Sequence, residues 1–145
     1  MPSLYTDIEI YAPRQEVWRA LFQKEGWVYW NTFLYDCDPK RRFAEGSEVW
    51  LSLRRVPGEE ETEFQPRITL VQPNVCLRWV SAIPGLVTET VFELQDLGGD
   101  RTQYIHQETF SGALSRFILP FIRQDEQQGI RRMARELKQF MERHS

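Results

Sequence analysis

Between Leu34 and Phe110 the chain is cut by turn residues into six strand-length segments, and from Ala113 its apolar period switches to 3.6. The segments are Leu34 to Asp38, Ser47 to Val56, Thr62 to Gln72, Val75 to Ile83, Leu86 to Leu97 and Arg101 to Phe110. Pro57-Gly58, Pro73-Asn74, Pro84-Gly85 and Gly98-Gly99-Asp100 separate the later ones, and connections this short join antiparallel neighbours. Pro66 marks a bulge or an edge within the third. Such a run forms a twisted, curved sheet whose concave face needs an apolar cover. Only the segment after Ala113 is long enough to supply it.

That segment carries Leu114, Phe117, Ile118, Phe121, Ile122, Ile130, Met133, Ala134, Leu137, Phe140 and Met141 at largely helical spacing. Pro120 is expected to kink this helix or to mark its true start. Asp125, Glu126 and Gly129 interrupt the stripe. Either the helix faces solvent or a cavity there, or glycine lets it approach the sheet closely.

Ahead of the run, Leu4 to Tyr11 alternates with period 2 and makes a seventh strand. Pro13 and Glu16 suit the first turn of a short helix reaching about Gln23, with Val17, Trp18 and Leu21 on one face. Gly26 to Phe33 holds aromatics at 27, 29, 30 and 33, a spacing that predicts one or two helical turns. The expected fold is therefore α+β: a curved seven-stranded antiparallel sheet wrapped around a long C-terminal helix, with two short helices after the first strand. Its 145 residues fit one domain, 1–145.

Several stretches resemble the START-like, helix-grip superfamily (SRPBCC), in particular its polyketide cyclase/dehydrase and lipid-transport branch. They are Ile10-Tyr11-Ala12-Pro13 with Glu16-Val17-Trp18, Trp30-Asn31-Thr32-Phe33 where that branch commonly has Trp-Asn-Pro-Phe, and Leu77-Arg78-Trp79. The run Thr102 to Gly112, with His106, Glu108, Phe110 and Gly112, follows, and then Gly129, Met133, Ala134, Leu137 and Lys138. The resemblance implies a helix-grip fold over nearly the whole chain. It leaves function open, since that superfamily holds lipid carriers, hormone receptors, cyclases, ring-hydroxylase subunits and chaperone activators.

A curved sheet gripping one helix leaves a wedge between them, and the wedge is the expected ligand site. If Phe110 points inward, Glu108, His106 and Tyr104 share its face. His106 and Glu108 are the candidate catalytic pair, able to exchange protons near neutral pH. The competing account makes them a buried polar pair that anchors the helix. Trp30, Phe33, Trp79, Phe92, Tyr104, His106, Phe110, Phe117, Phe121 and Met133 are the candidate ligand-binding residues. Aromatics make up 13% of the chain, and core packing competes with ligand contact for each ring. His144, beside the terminus, is expected to fray.

A formal charge of −3 argues against nucleic acid, and the pairs Arg41-Arg42, Arg54-Arg55 and Arg131-Arg132 are too short for a polybasic tract. They are expected to be solvated. No zinc pattern, EF-hand loop or phosphate cradle is present, so neither a metal nor another cofactor is expected. Cys37 and Cys76 stand far apart, with no CxxC pattern. The first residues lack a secretory pattern and no apolar run approaches a membrane span, which predicts cytoplasmic residence without stable membrane insertion. No residue pattern specifies an oligomeric state.

The leading expectation is a binding or transport protein for a hydrophobic small molecule such as a lipid, polyketide or isoprenoid. A cyclase or dehydratase using His106 is the second. A protein-interaction or chaperone-regulating module is the third, by analogy with superfamily members.

Overall fold

In the computed structural model, which describes residues 2–143, the long strands form a five-stranded antiparallel sheet. Its strands are β1 (Ser3–Ile10), β5 (Arg67–Gln72), β6 (Cys76–Ile83), β7 (Leu86–Gly98) and β8 (Arg101–Ser111), in the order β1-β8-β7-β6-β5. A second sheet holds β2 (Leu34–Asp36), β3 (Leu51–Leu53) and β4 (Thr62–Phe64). Helix α1 (Arg14–Phe22) and a 3-10 helix (Lys24–Tyr29) lie between β1 and β2, and α2 (Ser115–Arg143) ends the described chain. His144 lies outside the described residues.

The expected single seven-stranded sheet is thus corrected to eight strands in two sheets. Pro66 is the reason on one side: it has no N–H to continue a ladder, and the segment expected over Thr62 to Gln72 breaks there. The segment expected over Ser47 to Val56 crosses between the sheets. Its start pairs with β5, through Ile68 N–H donating to Ser47 O at 2.8 Å and Val49 N–H donating to Pro66 O at 3.1 Å. Its centre, β3, then pairs with β2 and β4.

Where the strands are long, period 2 settles what faces inward. The β7–β8 ladder sets Phe92 opposite His106 and Leu94 opposite Tyr104. All four are buried, and so are Glu108 and Phe110 further along β8. The hairpin turns through Gly98, Gly99 and Asp100 with φ of 80°, 63° and 58°, a left-handed run that glycine makes accessible.

Helix α2 packs mainly on β1 and β8. It starts upstream of Pro120, so the proline sits inside it near its N-terminal end. Its buried residues are Ser115, Leu119, Glu126, Gly129, Ile130, Met133, Ala134, Leu137 and Met141, a stripe at helical spacing. Gly129 is there for space: a Cβ on it would lie 2.4 Å from Cε1 of Phe33, a ring that is itself buried. Arg132 ties the same helix to the small sheet, its guanidinium donating to the carbonyls of Arg54 (2.6 Å) and Arg55 (3.2 Å) and to the Thr32 hydroxyl (2.9 Å).

Candidate functional site

The N-terminal half of α2 does not close fully on the sheets. Between them lies a cavity of about 180 Å³. Leu34, Leu53 and Phe64 of the small sheet form one wall; Trp79, Ser81, Leu86, Thr88, Thr90 and Phe110 of the large sheet form another; Ile122 and Glu126 of α2 form a third. Thr62, Glu63 and Ile83 are exposed and mark where the cavity meets the surface. A wider hollow beside Lys40, Arg41, Arg42 and Arg67 is lined by solvated side chains on the open surface and lacks such enclosure.

The surface of the wall is mainly apolar, interrupted by the hydroxyl residues Thr62, Ser81, Thr88 and Thr90 and by one charged cluster built on two buried carboxyls. Glu108 and Glu126 are 5% and 3% exposed. Their carboxyls hydrogen-bond each other, and Arg55 Nε donates to Glu126 Oε1 at 2.6 Å. Two carboxyls in hydrogen-bond contact need a proton between them, because two adjacent negative charges out of water repel. Burial raises Glu108, with the Glu126 hydrogen bond and Arg55 opposing the rise. Burial and the neighbouring Glu108 charge push Glu126 well above the carboxylate range, held back by Arg55. Each carboxyl thus favours its protonated form more than a solvated carboxyl does, and the two, sharing a proton in this contact, titrate as a unit.

His106 stands behind this cluster. It is fully buried, its ring centroid lies 4.3 Å from that of Phe92, and neither ring nitrogen has a hydrogen-bond partner among the described residues. Nε2 comes within 3.4 Å of Glu108 Oε2 without hydrogen-bond geometry. Burial lowers its pKa to about 3, so the ring is neutral at pH 7. Tyr104, one inward position earlier, is likewise buried with an unpartnered hydroxyl, and burial raises its pKa.

A depressed folded-state pKa makes His106 a stabilising neutral group above its unfolded value of 6.5, and the contribution drains away as pH falls toward 3. Between pH 6.5 and pH 5 the loss is about 2 kcal/mol, at 1.36 kcal/mol per unit. The H106L variant should therefore gain about 2 kcal/mol on the wild type over that interval, read from urea unfolding at both pH values. A difference between the two proteins that does not move with pH would contradict the burial described above. The glutamate pair works in the opposite sense. Its raised values favour the protonated form, so its contribution declines as pH rises through the folded-state values.

Of the residues expected at the site, Trp79, Glu108 and Phe110 line the cavity. Phe33, Phe92, Tyr104, His106 and Met133 are buried but lie outside its wall, and Trp30 packs on Phe140 with centroids 6.3 Å apart. Phe117 and Phe121, expected to line the grip, are 60% and 86% exposed. The correction is one of helical phase. Counting back from Met133 in steps of three and four reaches Gly129 or Ile130, Glu126, Ile122 and Leu119, and leaves both phenylalanines outside. The apparent interruption at Glu126 and Gly129 is then no interruption, since both belong to the buried stripe.

Arg55 and Glu126 were not expected at the site. Glu126 showed itself only as a polar residue where an apolar one was due. Arg55 belonged to an arginine pair expected to be solvated, and Arg132 to another; both instead spend their guanidinium groups on internal acceptors. Cys37 and Cys76 are free thiols. Among the described residues, no group of three or more His, Cys, Asp and Glu side chains is arranged to hold a metal ion, and no helix is long and apolar enough to cross a membrane.

No protein-family model and no curated protein matches the sequence. Solved structures do match in fold. A START superfamily protein from Mycobacterium smegmatis superposes with a TM-score of 0.77 at 16% identity, over 99% of both chains. Norcoclaurine synthase from Thalictrum flavum, solved in complex with dopamine and hydroxybenzaldehyde, gives 0.70 at 13% identity, over 99% of this chain and 88% of that one. DynU16, a protein of the dynemicin biosynthetic locus, gives 0.70 at 15% identity, over 99% of this chain and 48% of that one. The chain has a START-like fold, an antiparallel sheet closed by a C-terminal helix.

Proposed function

We propose that this protein binds a small, mainly apolar molecule in the cavity between the sheets and α2, with the Glu108–Glu126 pair fixing its polar end. The observation that carries this reading is an apolar cavity whose one charged cluster is buried. Holding two carboxyls out of water beside a partly exposed guanidinium costs free energy, and packing alone would be served better by apolar side chains. Burial of the ligand's apolar surface would drive binding, and the pair would orient it.

Size narrows the ligand. A cavity of roughly 150 Å³ lined by apolar side chains admits benzene, whereas pockets for larger ligands span roughly 300–1,000 Å³. At about 180 Å³, this cavity suits one ring with a short chain rather than a sterol or a long acyl chain. That a protein of the same fold holds two small aromatics, dopamine and hydroxybenzaldehyde, is in keeping with that scale.

If the protein is an enzyme, the acid/base group is the Glu108–Glu126 pair rather than His106. The pair lines the cavity and holds a transferable proton, while the histidine is neutral and walled off.

Trp79 lies in the cavity wall, so its fluorescence reports occupancy. Titration with 2-phenylethanol should give saturable, one-to-one quenching that the W79F variant lacks, read against the other four tryptophans. Quenching that is unsaturable, or unchanged in W79F, would overturn the assignment of the cavity as the site.

A further inference from the structure

The charged groups of the cavity do not balance. Its lining holds three carboxyl side chains, Glu63 at the rim and Glu108 and Glu126 inside, against one cation, Arg55. Arg55 is committed to Glu126 at 2.6 Å. Behind the wall, His106 and Tyr104 face Glu108 from its own strand, and both are neutral near pH 7. Among the described residues, Glu108 therefore has only a share of Arg55, whose hydrogen bond goes to Glu126, and no cation of its own. Its side chain is 7% exposed, and its Oε1 is buried and meets no N–H or hydroxyl donor among the described residues. A buried carboxyl of this kind is held neutral by a proton, unless a cation arrives to pair with it.

We infer that the cavity selects a ligand carrying a protonated amine on a single ring or short apolar chain, the ammonium replacing the proton held between Glu108 and Glu126. This rests on the cavity being the binding site, as proposed above. With the ammonium in place the buried cluster holds two cations, Arg55 and the ligand, and two carboxylates, so its charges cancel. The proton balance is explicit: the amine enters as ammonium and stays so, and the carboxyl pair releases one proton to solvent. Exposed Glu63 adds a third negative charge at the entrance, which favours the approach of a cation. A ligand carrying a hydroxyl in place of the amine fills the same space but displaces no proton.

The test uses phenethylamine, 2-phenylethanol and ethylbenzene, three molecules of nearly the same shape, in calorimetric titrations of the full chain at pH 7.5 in phosphate and in Tris. Phenethylamine should bind at least tenfold more tightly than 2-phenylethanol. It should also release close to one proton per molecule bound, seen as a dependence of the binding heat on the buffer's ionisation heat. The E108Q variant should lose both the preference and the proton release while still binding ethylbenzene. Equal or weaker binding of the amine, or binding without proton release in the wild type, overturns the inference and leaves the cavity reading intact, because the two neutral probes still bind. Failure of all three probes to bind overturns both. The wild-type proton count stands without the variant, so a misfolded E108Q does not decide the outcome.

Discussion

Replacing Lys24 by methionine should lower the unfolding free energy by about 3–5 kcal/mol, the usual cost of removing one partner of a buried ion pair. Lys24 is 2% exposed and its partner Asp36 6%. Its Nζ donates to Asp36 Oδ1 at 2.7 Å and to the carbonyl of Asp38 at 2.8 Å. The second Asp36 oxygen is already buried without a partner. Without the ammonium, the aspartate is left buried with no cation beside it, which is costly inside the protein. The loss is large against the roughly 5–15 kcal/mol that holds a domain together. The double variant K24M/D36N should recover much of it, because no uncompensated charge remains. Urea unfolding of the three proteins decides the point, and a loss below about 1 kcal/mol in K24M would contradict the burial of the pair. The pair also bears on the site, since it holds the 3-10 helix against β2, and Leu34 of β2 lines the cavity.

The largest effect on binding should come from filling the cavity. Ser81 of β6 lines it, and S81F would place a benzene-sized ring in a space that admits little more. Neither glutamate is touched. Affinity for 2-phenylethanol should fall by at least thirtyfold, while the fold gains buried apolar surface and keeps its stability within about 2 kcal/mol. Unchanged affinity in S81F would place the ligand elsewhere on the protein.

Much of the sheet was legible because period 2 leaves little freedom. Once Phe110 is inward, Glu108, His106 and Tyr104 must follow, and all four are buried as that parity requires. The Gly98-Gly99-Asp100 turn was equally plain, since few other residues sustain its φ values. Helix α2 was harder. Phe117 and Phe121, one turn apart and large, set a stripe by themselves, yet the buried face is carried by smaller or polar residues at Leu119, Glu126 and Gly129. Hydrophobicity alone chose the wrong phase for the first three turns because the residues that do face the sheet there include a carboxylate and a glycine. Pro66 pointed to an irregularity but not to its consequence, a second sheet, which depends on how the segment after Gly46 crosses over. The contacts of Lys24 with Asp36, and of Arg55 with Glu126, join residues 12 and 71 apart, and pairs of that kind leave no periodic trace.

Whether the space beside Glu108 and Glu126 receives the ligand is tested most directly by intermolecular nuclear Overhauser effects from bound 2-phenylethanol. The ring protons should show contacts to Phe110, Ile122 and the methyl of Thr90, all in the cavity wall. Contacts confined to Phe117 and Phe121, on the exposed face of α2, would contradict it.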